Sequence, residues 1–243
     1  MTERLDKIVA NMPGISRTDA KKLISSGKVT VDGKTAKDAK LHYDPALCSI
    51  EVMGKPVVYK KHLYILQNKP LGVVSSTDDP DSQTVLDILP EHLVRKGLFP
   101  AGRLDKYSQG MMIITDDGGF AHKMLSPKSH LPKTYYVELD QDIINQELAE
   151  LFGKGVYLGG GEYSSPAQLE ILTPRSANVT IYEGIYHQVR RMFDQNGGKV
   201  VKLVRIKIGK LPLDPSLPEG ESRELTEDEI KILLHCDENV NND

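Results

Sequence analysis

The sequence predicts an α+β protein in two parts. A small basic module occupies residues 1–60, and a domain with a mixed, mostly antiparallel sheet flanked by helices occupies residues 61–243. Three observations lead there. The first 60 residues read as helix, helix, tight hairpin. Beyond them, strand-like runs alternate irregularly with short helical runs, without the regular strand–helix repeat of a parallel sheet. The chain of 243 residues, 39% of them hydrophobic, is long enough to bury a core in one or two domains.

In the first part, "RLDKIVANM" places Leu5, Ile8, Val9 and Met12 at helical spacing before a break at Pro13-Gly14. Ser16, with Asp19 three residues on, reads as the N-cap of a second helix over "SRTDAKKLISSG", and Gly27 is placed to stop it. "KVTVDGKTA" reads as a hairpin turning at Asp32-Gly33. Arg17, Lys21 and Lys22 share one helical face, which suggests an RNA module. Residues 53–62 look like a linker or domain edge.

In the second part, "LYILQNKPLGVVSS" offers two short strands around an Asn-Lys-Pro break. Met111–Thr115 is an apolar strand, and the aspartates of "DDGG" can cap the "FAHKMLS" helix. Thr134–Leu139 is a strand, Ile143–Phe152 a helix, and "AQLEIL" and "NVTIY" are strands. "HQVRRMFDQNGG" is a helix that leads into the strand "KVVKLVRIKIG". Alternation there predicts Val204, Ile206 and Ile208 on one face, with Arg205 and Lys207 on the other. Thr226 and Glu229 stand at capping-box spacing on "TEDEIKILL".

The net charge of −3 hides a segregation. Residues 1–62 hold 12 Lys/Arg against 7 Asp/Glu, and Tyr186–Lys210 holds seven bases against one acid. After Lys210 there are ten acids and two bases. Local patches, not totals, decide whether a polyanion binds. No apolar run is long enough to span a membrane, and the charged N-terminus is unlike a signal peptide, so the cytoplasm is expected. Cys48 and Cys236 stand far apart, with no metal-ligand spacing near either, so neither zinc nor a disulfide is expected. Phosphate-loop and dinucleotide fingerprints are missing, as is GxSxG. An enzyme built on this chain is expected to work without metal or cofactor.

That leaves "AGRLDKYSQG". Asp105 lies between Arg103 and Lys106, just before an apolar strand. It reads either as a solvated turn residue or as a nucleophile or base held ionised by cations. Arg190 and Arg191 are arginines that could meet it in space, and Tyr135 or Tyr136 could offer a flat face to a base.

"GRLDKYSQG", "NKPLGVVSSTDDPDSQTVLDIL", "SPKSHLPKTYYVEL" and "EGIYHQVRRMF" together resemble the pseudouridine synthases of the small-subunit rRNA type, and residues 1–60 resemble their S4 RNA-binding domain. Ser108 stands where many members have threonine, and Arg190 where some have lysine. The resemblance implies isomerisation of a uridine in 16S rRNA, uridine 516 for the most similar members. It makes Asp105 the catalytic aspartate and puts Tyr135 against the target base. Arg190 would pair with Asp105, and Arg103 would fill the gap left by the flipped uridine. Further RNA contacts are expected from Arg4, Ser16, Arg17, Lys21, Lys22 and Lys28, and from His187 and Arg191. The expected partner is 16S rRNA or a small-subunit assembly intermediate, met by a monomer. A large-subunit synthase and a non-catalytic ribosome-assembly factor are the alternatives.

Overall fold

The computed structural model describes residues 2–126 and 131–234, so Cys236, the end of the acidic tail and part of the "SPKSHL" stretch lie outside the described residues. The chain forms two compact units. One comprises Met1–Leu63 with Leu89–Leu98, the other Tyr64–Ile88 with Phe99–Asp243.

The first unit packs α1 (Leu5–Val9) on α2 (Arg17–Ser25). As the spacing predicts, Ser16 caps α2, its Oγ accepting from the Asp19 amide at 3.1 Å. Gly27 follows the helix with φ +74°. A four-stranded sheet runs in the order β3 (Lys34–Thr35), β2 (Val29–Val31), β5 (Ile50–Val52), β6 (Lys55–Pro56). β1 (Glu3–Arg4) pairs separately with β4 (His42–Tyr43). Asp32 and Gly33 both take positive φ at the β2–β3 turn, as a two-residue hairpin of matching twist requires. Leu5, Ile8, Val9, Ala20, Ile24 and Val29 are completely buried and form the centre of this unit. Each large one stabilises the folded state by about 1.5–3 kcal/mol relative to exposure.

The second unit is built on one large sheet. Its main path runs β13 (Gln168–Thr173), β14 (Ser176–Ile181), β10 (Lys133–Leu139), β15 (Val200–Ile208), β9 (Gln109–Thr115), β7 (Tyr64–Lys69), β17 (Ser222–Glu224). β8 (Phe99–Pro100) pairs with β9, and β16 (Leu211–Pro212) with β15. Only β15 and β9 run parallel among the paired strands described; the other ladders are antiparallel. α3 (Gly118–Leu125), capped by Asp117, and α6 (Glu227–Leu234), with its Thr226–Glu229 capping box, pack over Leu66, Met111 and Ile113. α4 (Gln146–Lys154) meets α5 (Gln188–Asp194) through Phe152 and Phe193, ring centres 5.0 Å apart. A small hairpin, β11 (Tyr157–Gly159) with β12 (Glu162–Tyr163), completes the described strands.

One expected pattern fails. In β15, Arg205 is only 3% exposed, whereas Lys207 is exposed. The cause is a bulge: Tyr135 pairs with Arg205 but Thr134 with Lys207, leaving Ile206 as an extra residue. Arg205 therefore turns inward. The two strands expected around Asn-Lys-Pro also reduce to one, β7, which continues through Lys69; Val74 makes only an isolated bridge to Thr84.

Candidate functional site

The Asp105 loop joins β8 to β9 and is tied to its surroundings through backbone atoms. The Ala101 amide donates to the Ile113 carbonyl at 2.8 Å. Ser75 Oγ accepts from the Leu104 amide at 3.0 Å and donates to the Leu104 carbonyl at 2.7 Å. The Gly72 amide donates to the Lys106 carbonyl at 2.9 Å, and Lys106 Nζ donates to Ser82 Oγ at 2.9 Å. The "NKPLGVVSS" stretch thus serves as a brace for the loop, aiming one short side chain from a rigid element. Leu104 is buried beside Asp105, whose side chain keeps 35% exposure.

Asp105 Oδ1 faces His187 Nε2 at 3.3 Å. His187 adopts φ 50° and ψ 30°, a left-handed conformation costly for a side-chain-bearing residue, immediately before α5. Its ring stacks on the exposed ring of Tyr186, centres 3.9 Å apart and 16° from parallel. Arg190, one turn along α5, donates from Nη2 to the Tyr107 carbonyl at 2.7 Å and from Nη1 to the Val200 carbonyl at 3.0 Å. The expected Arg190–Asp105 ion pair is therefore not what the described residues form. Arg190 ties the backbone two residues past Asp105 to the start of β15, and the side chain facing the carboxylate is His187. Arg191 is used elsewhere: it donates to the Leu158 and Gly159 carbonyls and pairs with Glu162 at 2.7 Å.

Beneath the loop, one transverse row of the sheet reads Tyr135, Arg205, Gly110, Lys69 across β10, β15, β9 and β7. Paired residues project from the same sheet face, so these side chains share it. Gly110 is required in the row: its φ is +98°, and a Cβ there would lie 2.4 Å from the Arg205 carbonyl oxygen. Tyr135 is 8% exposed. Arg205 Nε donates to the Met111 carbonyl at 2.7 Å. Lys69 is fully buried and donates to the Ser108 carbonyl at 2.7 Å and the Pro70 carbonyl at 3.0 Å. Burial pushes its ammonium down to about 8, with Arg205 adding to the fall and the Asp105 charge opposing it. Burial likewise lowers Lys133, again with Arg205 contributing.

The sheet therefore places two buried cations below the segment that carries the candidate carboxylate. Neither Lys69 nor Arg205 stands out in the sequence as part of the site. Lys69 sits at an apparent strand break, and simple alternation sends Arg205 to the surface. Arg103 is exposed and, among the described residues, makes no hydrogen bond or ion pair.

In the first unit, Lys21, Lys22 and Lys28 are exposed, with Lys22 3.8 Å from Asp19. Arg4 and Arg17 are not free-standing: both reach Asp6, at 2.9 Å each. Ser16 is occupied as a helix cap. Among the described residues, no cluster of three or more His, Cys, Asp or Glu is arranged to hold a metal, and no helix is long and apolar enough to cross a membrane.

The family described as RNA pseudouridylate synthase matches residues 63–195, and the S4 domain family matches residues 3–45. An uncharacterized RNA pseudouridine synthase of Bacillus subtilis is 46% identical, covering 95% of this chain and 98% of the relative. The ribosomal small subunit pseudouridine synthase A of Escherichia coli is 43% identical over 95% of this chain and 100% of its own length. A crystal structure of a pseudouridylate synthase superposes with a TM-score of 0.67 at 39% identity, covering 95% of this chain and 99% of that one.

Proposed function

Because the chain belongs to the RNA pseudouridylate synthase family, we propose that it isomerises one uridine of small-subunit ribosomal RNA, with Asp105 as the catalytic carboxylate. The observation that carries this reading is the Asp105 loop itself. A part-exposed carboxylate stands on a backbone braced by Ser75, Lys69 and Arg190 and underlain by buried positive charge. A solvated turn residue needs none of that support.

The chemistry asks for one such group. The N1–C1′ glycosidic bond breaks, the detached uracil turns, C5 bonds to C1′, C5 gives up its proton, and N1 ends protonated. Atoms and electrons balance within the nucleotide, so no cofactor is called for. Two routes use the same carboxylate: attack on C1′ to form an ester, or removal of the C2′ proton to form a glycal. In both, Asp105 must be ionised, and water must be kept from the detached base. Glycoside hydrolases, by contrast, usually use two carboxylates, one as acid and one as base or nucleophile.

Tyr135 is proposed to lie against the uracil, Arg103 to occupy the stack it vacates, and Arg190 to position Asp105 through the Tyr107 carbonyl. Flipping the nucleotide costs a few kcal/mol, offset by contacts elsewhere on the RNA. Those contacts are assigned to the first unit and to the basic stretch around β15. The target proposed is uridine 516 of 16S rRNA, in free RNA or an assembly intermediate, acted on in the cytoplasm by a monomer. Similarity to the ribosomal small subunit pseudouridine synthase A of Escherichia coli supports a small-subunit target.

Carbodiimide mapping of pseudouridine in rRNA from cells with and without this gene tests the reading. Loss of a single small-subunit pseudouridine is expected. Loss confined to the large subunit would overturn the target, and an unchanged map would overturn the activity.

A further inference from the structure

The first unit contains a buried carboxylate that the chemistry above does not use. Asp6 lies in the first turn of α1 and has no solvent exposure. Two arginines converge on it. Arg4 donates from Nε to Oδ1 at 3.1 Å and from Nη2 to Oδ2 at 2.9 Å, a two-point fork. Arg17, at the start of α2, donates from Nη2 to Oδ1 at 2.9 Å. The arginine side chains themselves remain 38% and 55% exposed. Burial raises the Asp6 carboxyl, but the hydrogen bonds from Arg4 and Arg17 outweigh it and hold the group below the ordinary aspartate value.

One anion thus anchors two cations whose side chains stay partly exposed, and most of their N–H donors are not used by Asp6. Arginine forks match the oxygen pairs of a phosphodiester, and an arginine already fixed in place loses little freedom on meeting one. Other cations nearby are arranged differently. Lys7 is drawn to Glu3 at 2.8 Å, and Lys22 stands 3.8 Å from Asp19. Neither has a buried anchor.

We propose that Arg4 and Arg17 form a preorganised clamp for a backbone phosphate of the RNA, and that buried Asp6 is the positioning residue that holds it open. This rests on the reading that the first unit binds RNA. It makes a prediction opposite in sign to charge counting. Removing a negative charge from an RNA-binding face should tighten binding if only the field matters. If Asp6 positions the arginines, removing it should weaken binding.

The test is the affinity of the full chain for a small-subunit rRNA fragment, measured against salt. Arg4→Gln and Arg17→Gln should each weaken binding and reduce the slope of log K against log salt by about one. Asp6→Asn, which keeps both positive charges, should weaken binding about tenfold. With both arginines already changed to Gln, the same Asp6→Asn change should no longer weaken it. Arg17→Lys, at the exposed start of α2, supplies a version that leaves Asp6 and its two-point fork with Arg4 in place. It keeps the charge yet should bind at least about threefold more weakly, because lysine cannot form the fork. Tighter or unchanged binding by Asp6→Asn, or full affinity in Arg17→Lys, would overturn the clamp. Unchanged affinity and slope in both Gln variants would instead overturn the RNA reading of this unit.

Discussion

Replacing Lys69 by methionine separates what the buried ammonium does for stability from what it does for the Asp105 loop. Its downward shift from 10.5 to about 8 means that charging it inside the protein costs about 3 kcal/mol at neutral pH. Methionine of similar length removes that penalty. It also removes the charged donor from the Ser108 and Pro70 carbonyls, worth about 1.5–3 kcal/mol for each hydrogen bond to a charged group. The terms oppose one another, two bonds lost against one penalty relieved, so Lys69→Met is expected to cost between about 0 and 3 kcal/mol of stability at pH 7.

Activity has no such compensation. The Ser108 carbonyl is released three residues from Asp105, and if one such bond is lost from transition-state alignment, kcat/KM falls about ten- to a hundredfold. The pH dependence supplies the signature. Below about pH 8 the ammonium is charged in both native and unfolded chains. Between about 8 and 10.5 the native state has released the proton while the unfolded state still binds it, so this group makes stability rise with pH across that window. Wild type should therefore gain on Lys69→Met by up to about 3 kcal/mol between those limits. Urea unfolding of both proteins from pH 7 to 10, beside single-turnover rates on rRNA, makes the measurement. Parallel stability profiles together with undiminished kcat/KM would contradict the role given to Lys69.

Two further outcomes follow from contacts already described. Arg190→Gln frees the Tyr107 and Val200 carbonyls at once, and kcat should fall at least about a hundredfold, or about 2.7 kcal/mol, with RNA affinity little changed; equal losses in affinity would reassign Arg190 to RNA contact. Arg223 holds Asp214 at 2.9 Å and Glu229 through a fork at 2.7 and 2.8 Å, pinning α6 to β17, so Arg223→Gln should cost about 1–3 kcal/mol at neutral pH. The hydrogen bonds from Arg223 are the main cause lowering Glu229 below 4.5, so their stabilisation is complete above that pH and is lost as the carboxyl protonates below it; the wild-type advantage in urea should shrink accordingly in acid.

Local chemistry was the legible part of this fold. Ser16 with Asp19, Asp32-Gly33, Asp117 and Thr226 with Glu229 each satisfy backbone groups within a few residues, so their spacing alone announces them. The Asp105 motif stands out in the sequence as a candidate, and the family resemblance follows from four such motifs. What the one-dimensional pattern concealed depends on pairing between distant strands. Arg205 turns inward because of a bulge opposite Tyr135, 70 residues away in sequence, and Lys69 acquires its place only when β7 lies beside β9. Asp6 and Arg17 come together through the packing of two helices, so an arginine expected on a bare RNA-binding face is instead half engaged. His187 takes a left-handed backbone just before α5 and stands 3.3 Å from Asp105, a proximity between segments about 80 residues apart that local spacing does not signal.

The most direct measurement is tritium release from rRNA labelled at uridine C5, in a single turnover, by wild type and by Asp105→Asn. Asparagine keeps the shape and loses the charge. Release should fall to background while affinity for the same RNA stays within about tenfold, or about 1.4 kcal/mol. Measurable turnover by the asparagine variant, at any pH where wild type works, would contradict the assignment of the chemistry to the Asp105 carboxylate.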